Sequence, residues 1–166
     1  MNQAKSLFEG QLVLTEQGYL EIAELHKLYT EKTAPRVATW ERSGNRFDWT
    51  EISHMTQDFR SEEIIRVETD VFGIIGAKHH SVWFLDDLTK RAKLDTLDNL
   101  FRHTGQFMGI HPMPSGGCSG YYVGPGCWYK EPVSGWFFDL DTKDGLVFTR
   151  TKTREAGVWS GSPVGE

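Results

Sequence analysis

Two sets of residues in this 166-residue chain have the types that do chemistry. One is Cys118 and Cys127 together with His103 and His111. Thiolates and imidazoles are zinc ligands. Eight residues separate the two cysteines, however, which is not zinc-like spacing, so we read a free or redox-sensitive pair rather than a metal site. The other set is dispersed: Ser6 near the start and the adjacent pair His79 and His80 at mid-chain. A serine hydroxyl is a weak nucleophile at its own pKa and needs a base beside it. An imidazole titrates near neutrality and serves as acid or base. On a strand, His79 and His80 point to opposite faces, so only one of them faces any given site. Ser6 taken alone is no more than the residue before a strand. The apolar run Leu7 to Thr15 follows it and ends in the turn signal Thr15-Glu16-Gln17-Gly18.

The elements that must position these residues are mostly strands. A length of 166 residues supports one domain with a real core, and 39% apolar content lies in the globular range. Net charge is −5 and no long basic run occurs, which disfavours a nucleic-acid role. No apolar stretch approaches the roughly 20 residues of a membrane span. The start, Met1 to Lys5, has no apolar signal core, so we expect a cytosolic protein. Seventeen glycines among many aromatic and β-branched residues favour short strands joined by frequent turns.

Leu20, Ala23, Leu25 and Leu28 predict a short amphipathic helix that stops before Thr33-Ala34-Pro35. Strands are predicted over 36–40, 46–52, 61–69, 71–75, 81–84, 136–140 and 146–151, with Gly157 to Trp159 closing the sheet. Leu94, Leu97, Leu100 and Phe101 predict a second short helix within 93–103. The segment 113–132 is rich in Gly, Pro, Ser and aromatics, and we read it as a long surface loop with a small hairpin near 121–123. No repeat and no inter-domain linker is evident, so the pattern points to one compact all-β domain.

Four segments, in this order, resemble a Hint domain, the autoprocessing module of inteins and hedgehog-type proteins. The first is SLFEGQLVLTEQGYLEIAEL, where Ser6, Thr15, Gly18, Ile22 and Leu25 occupy the family's opening places. The second is RSEEIIRVETDVFGIIGAKHHSVWF, in which His80-Ser81-Val82 matches a Thr-x-x-His block, with Ala77 in place of the threonine. The third is Lys93 to Leu97, and the fourth is GWFFDLDTKDGLVFTRTKTREAGVWSGS, with Asp139 at the family's acidic position. The resemblance runs from Ser6 to about Ser162. The gap from Ser81 to Trp136 is too short for an inserted endonuclease, so the likeness is to a mini-intein.

The resemblance implies an all-β horseshoe of pseudo-symmetric bent strands with one or two short helices. It implies a domain over 6–161, with residues 1–5 and 162–166 as flanks. Ser6 Oγ would attack the carbonyl of Lys5 and turn an amide into an ester. His80, preferred over His79, would hold and protonate the departing nitrogen. Asp139 would activate the nucleophile or protonate a leaving group. Splicing then needs a terminal asparagine before a Cys, Ser or Thr, yet asparagine occurs only at 2, 45 and 99. Val158 to Ser162 resembles a Trp-Thr-Gly-Asn ending. Either Ser162 replaces the asparagine and is followed by Pro163, or Gly161 replaces it and Ser162 is the acceptor nucleophile. We favour the second because it leaves similar short flanks. The scissile junctions would then be Lys5–Ser6 and Gly161–Ser162. The usual histidine seven residues past Asp139 is Leu146. These departures imply a single-turnover, autocatalytic chain that starts the reaction and cannot finish it. It would be a monomer acting on its own flanks, with no cofactor, nucleic acid or membrane. Two other readings stand beside this one. One is a cleavage-only, hedgehog-like or bacterial intein-like domain. The other is a β-rich binding module, for which Ser6 and His80 should lie far apart.

Overall fold

A computed structural model describes residues 6–41, 43–44, 46–110 and 119–161. Its longest elements are two strands, β6 (His54–Glu68) and β12 (Trp128–Asp141), which pair antiparallel along their whole common length, from Trp128 opposite Val67 to Asp141 opposite His54. Apolar residues cluster near the ribbon's ends, where Ile64, Ile65, Val67, Phe137 and Phe138 are buried. Its middle is wet on both faces, so Phe59 and Trp136 stand 60% and 43% exposed and pack edge-on at 5.4 Å. The ribbon joins β1 (Leu7–Phe8) and β7 (Gly73–Ala77) in a small closed barrel, because β1 pairs with β12 on one side and with β7 on the other.

The second sheet runs through β11 (Ser119–Val123), β10 (Gly105–Ile110), β8 (Ser81–Asp86), β14 (Gly157–Gly161), β13 (Leu146–Thr151), β2 (Gln11–Thr15), β4 (Val37–Glu41) and β5 (Arg46–Thr50). β3 (Gly18–Glu21) adds to β2, and β9 (Ala92–Thr96) adds to β8. Every ladder between named strands is antiparallel. One core cluster takes Leu7, Ile74 and Phe138 from the barrel and Val82, Phe107 and Val158 from the sheet, so the two layers share a dry interior.

Three sequence expectations are corrected. The first helix begins after Leu20, as α1 (Ile22–Thr30), because Gly18 to Glu21 pair with β2. Gly18, at φ +96°, turns the chain there, and Thr15 Oγ1 ties the turn by accepting from Gln17 N–H and donating to Gly18 O. The buried helical face is therefore Ile22 and Leu25, with Ala23 exposed and Leu20 in a strand. The second helix is one turn, α2 (Leu97–Leu100), because 92–96 form β9 and Thr96 caps the helix by accepting from Asn99 N–H. The third correction concerns 113–132. Its described part is not a loop but β11, a single 3₁₀ turn at Pro125–Cys127 and the first residues of β12. Pro132 is tolerated in that strand because β12 pairs with β6 on one side there and with β1 only at Phe137 and Phe138.

Candidate functional site

Ser6 is 1% exposed at the mouth of the barrel, immediately before β1. Pairing Leu7 with Phe138 brings Ser6 level with Asp139 on the neighbouring strand. Ser6 Oγ donates to Asp139 Oδ1 at 2.7 Å and accepts from Arg60 Nη2 at 3.0 Å. Arg60 arrives from β6, opposite Gly135, so its side chain shares a face with Phe137 and Asp139. Its guanidinium lies 4.4 Å from the Phe137 ring centroid. Nη1 donates to Asp58 at 3.2 Å, and Nε stands 2.9 Å from Glu62 Oε1 as an ion pair without hydrogen-bond alignment. Below this group the buried Gln11 amide braces the turn after β1, donating to Phe8 O and Ile75 O and accepting from Ile75 N–H.

His80 is 3% exposed in the tight turn between β7 and β8. Its own N–H donates to Ala77 O, and its carbonyl accepts from Leu97 N–H, so the start of α2 pins the turn. His80 Nε2 is 2.9 Å from Ser160 Oγ, and Ser160 is fully buried in β14. His79 is half-buried. Burial and the Ser160 contact thus distinguish the two histidines.

Both ends of residues 6–161 dock on this same turn. The Ser6 carbonyl accepts from Ala77 N–H at 2.8 Å. Gly161, the last described residue, pairs with Ser81. Gly76 makes the close approach possible: a Cβ there would stand 3.3 Å from both His80 Cβ and the Ser6 carbonyl oxygen. The Ser6 carbonyl and the His80 Cβ thus both border Gly76. Lys5 and Ser162 lie outside the described residues.

At Gly161 the geometry speaks against an asparagine position. The residue has φ +150°, and a Cβ would fall 2.0 Å from the Gly145 carbonyl oxygen. This backbone atom cannot swing aside as a side chain would, so no asparagine fits at 161 without moving the β13–β14 edge. Gly161, the place favoured from sequence for the asparagine, is thus closed to a side chain unless Gly145 moves, and Ser162 lies outside the described residues.

Of the cysteine and histidine set, Cys127 and His103 are described. Cys118 and His111 lie outside the described residues, and Cys127 is a free thiol. His103 Nδ1 is instead 2.7 Å from Asp86 Oδ2 at the far end of β8. Among the described residues no group of three His, Cys, Asp or Glu side chains is placed to hold a metal. No helix of the described residues is long and apolar enough to cross a membrane.

No sequence-family profile and no curated protein matches the chain. Solved structures do. A splice-inactive variant of the AceL NrdHF class 3 split intein superposes with a TM-score of 0.72 at 12% identity, over 96% of this chain and 99% of that one. A KlbA intein precursor from Methanococcus jannaschii gives 0.71 at 12%, over 99% and 96%. The fold is that of the inteins. A bacterial intein-like domain from Clostridium thermocellum gives 0.61 at 10% identity, over 94% and 99%, so the same Hint-type frame is shared with a domain of that second kind. At these identities the likeness is one of fold.

Two site residues escaped the sequence reading. Arg60 lies between the strands predicted over 46–52 and 61–69, where the sequence suggests no element and no role. Only the β6–β12 register brings it to Ser6. Ser160 was legible as one letter of the terminal block and not as a partner of His80.

Proposed function

We propose that this chain is an intein-like self-processing domain whose substrate is its own Lys5–Ser6 peptide bond. Ser6 Oγ attacks the Lys5 carbonyl carbon, and an ester replaces the amide. Asp139 holds the attacking hydroxyl at 2.7 Å. His80, whose Cβ borders Gly76 as the Ser6 carbonyl does, supplies acid–base capacity for the departing nitrogen. A buried, hydrogen-bonded serine beside a carboxylate is the arrangement that activating a weak nucleophile requires.

The observation that carries this reading is the docking of both ends on 77–81. A domain that only binds a partner has no need to bring Ser6 and Gly161 to one buried histidine. A domain that processes its own flanks does. The missing asparagine and the sealed position at Gly161 favour a cleavage-type outcome at the first junction over full ligation.

A reporter protein fused ahead of Met1 and incubated with hydroxylamine tests the reading. Esters yield to this nucleophile far faster than amides do. Release of the reporter with its tail ending at Lys5, and its retention in the Ser6→Ala variant, is the expected result. Equal release from both proteins would overturn it.

A further inference from the structure

The roles assigned above leave Arg60 unused. A guanidinium carries only N–H groups and accepts no hydrogen bond. At the 3.0 Å contact with Nη2, Ser6 Oγ is therefore the acceptor. The hydroxyl has one proton, and among the described residues its one other partner is Asp139 Oδ1 at 2.7 Å. That proton must lie on the Asp139 contact.

We propose that Arg60 is a positioning residue for the acyl shift: it fixes the Ser6 hydroxyl as donor to Asp139, so that Asp139 acts as base in the first step. The inference rests on the self-processing reading and decides between the two roles the sequence left open for Asp139. As the step proceeds, the Oγ proton passes to Asp139 and Oγ bonds to the Lys5 carbonyl carbon. The Lys5–Ser6 C–N bond then breaks, and the nitrogen gains one proton. The net change is an isomerisation that needs no co-reactant. Negative charge growing on Oγ forms against an existing N–H donor.

The fork is well held for this task. Asp58, Glu62 and the Phe137 ring engage the rest of the guanidinium, leaving Nη2 aimed at the serine. The same two carboxylates offset its charge at a distance, so its influence falls mainly on Ser6 and on Asp139 bonded to it. Lysine, a single mobile point charge, would reproduce the donor and lose the fixed direction.

Two measurements test the proposal. In the first, hydroxylamine cleavage at Lys5–Ser6 is followed by intact mass from pH 5 to 9 for the parent, Arg60→Gln and Arg60→Lys. Arg60→Gln should slow cleavage about tenfold or more, with its pH profile displaced to higher pH, and Arg60→Lys should recover part of the loss. Cleavage at the parent rate with an unchanged profile in Arg60→Gln would overturn the proposal.

The second measurement needs no processing. Ser6→Cys, made together with Cys118→Ser and Cys127→Ser, places a single thiol at the same point, and its thiolate absorbance near 240 nm is titrated with and without Arg60→Gln. Removing the guanidinium should raise the midpoint by about one pH unit. An unmoved midpoint overturns the proposal, even if cleavage occurs. A raised midpoint in a chain that never cleaves upholds the role of Arg60 and defeats the self-processing reading. If Arg60→Gln does not fold, the same titration on Arg60→Lys must show a smaller rise, and none would count against the proposal.

Discussion

At the Ser6 end a buried hydroxyl is gripped by a carboxylate and a guanidinium; at the Gly161 end a glycine faces the Gly145 carbonyl with no room for a side chain. The two ends meet on one turn, and His80 stands between them, hydrogen-bonded to Ser160 beside Gly161. They are nevertheless equipped unequally. Among the described residues, the first has a hydroxyl held by a carboxylate and a cation, and the second has the Gly161–Ser81 pairing and the Ser160–His80 hydrogen bond. The difference teaches that one intein-type frame can bring both ends to the same turn and furnish them with unequal side chains.

The largest effects should come from the equipped end. Asp139→Asn keeps the shape of the acceptor and removes its basicity, so hydroxylamine cleavage at Lys5–Ser6 should fall about 10²- to 10⁴-fold while the thermal midpoint moves little. Intact-mass time courses read the rate. A rate unchanged in Asp139→Asn would erase the contrast between the ends.

The Gly161 end is tested by adding what it lacks. Gly161→Asn should destabilise the fold by about 1–3 kcal/mol, because the new Cβ must displace the Gly145 backbone. Ser162→Asn should cost less. If either variant cleaves after its new asparagine, it should be Ser162→Asn, releasing Pro163 to Glu166; release of Ser162 to Glu166 from Gly161→Asn would uphold the assignment favoured from sequence.

The shared turn comes next. Ser160→Ala leaves the buried His80 Nε2 without this partner and should cost about 1–3 kcal/mol in urea unfolding. His80→Ala should lose similar stability and also slow cleavage at Lys5–Ser6. A fully active His80→Ala would make the histidine a packing residue.

The smallest effect is a control at the far end of β8. The Leu88 backbone N–H, and then His103, hold the Asp86 carboxyl below the usual carboxylate range. A lowered folded-state pKa stabilises the fold fully above the unfolded value of about 3.9 and loses that stabilisation as pH falls through the folded value. Asp86→Asn should therefore lower stability by about 1 kcal/mol or less near neutrality. The gap should close below about pH 4, with cleavage at Lys5–Ser6 untouched at any pH. Differential scanning calorimetry across pH checks this, and loss of cleavage would show that the junction senses the whole of β8.

Much of the frame was legible because strands announce themselves locally. Leu146 to Thr151 was read with its observed bounds, since a run of large apolar residues between turn signals has few other uses. The helices were overread for the complementary reason. Leu20 and Leu94 fit a helical period, but each belongs to a strand whose partner is supplied by β2 or β8. Segment 128–132 looked like loop because Lys130, Glu131 and Pro132 are polar or breaking. Only pairing with the fifteen-residue β6 explains them as strand. Ser6, His80 and Asp139 were nameable through resemblance, whereas Arg60 was not. Its place depends on a register between residues some 75 positions apart, which no local pattern encodes.

The central claim is that Ser6 breaks its own preceding peptide bond. The most direct measurement is tandem mass spectrometry of the fragment released by hydroxylamine. An N-terminal peptide ending in a hydroxamate on Lys5, absent from Ser6→Ala, is the result the account predicts. An intact chain at every pH and nucleophile concentration, from a protein shown to be folded, would contradict it.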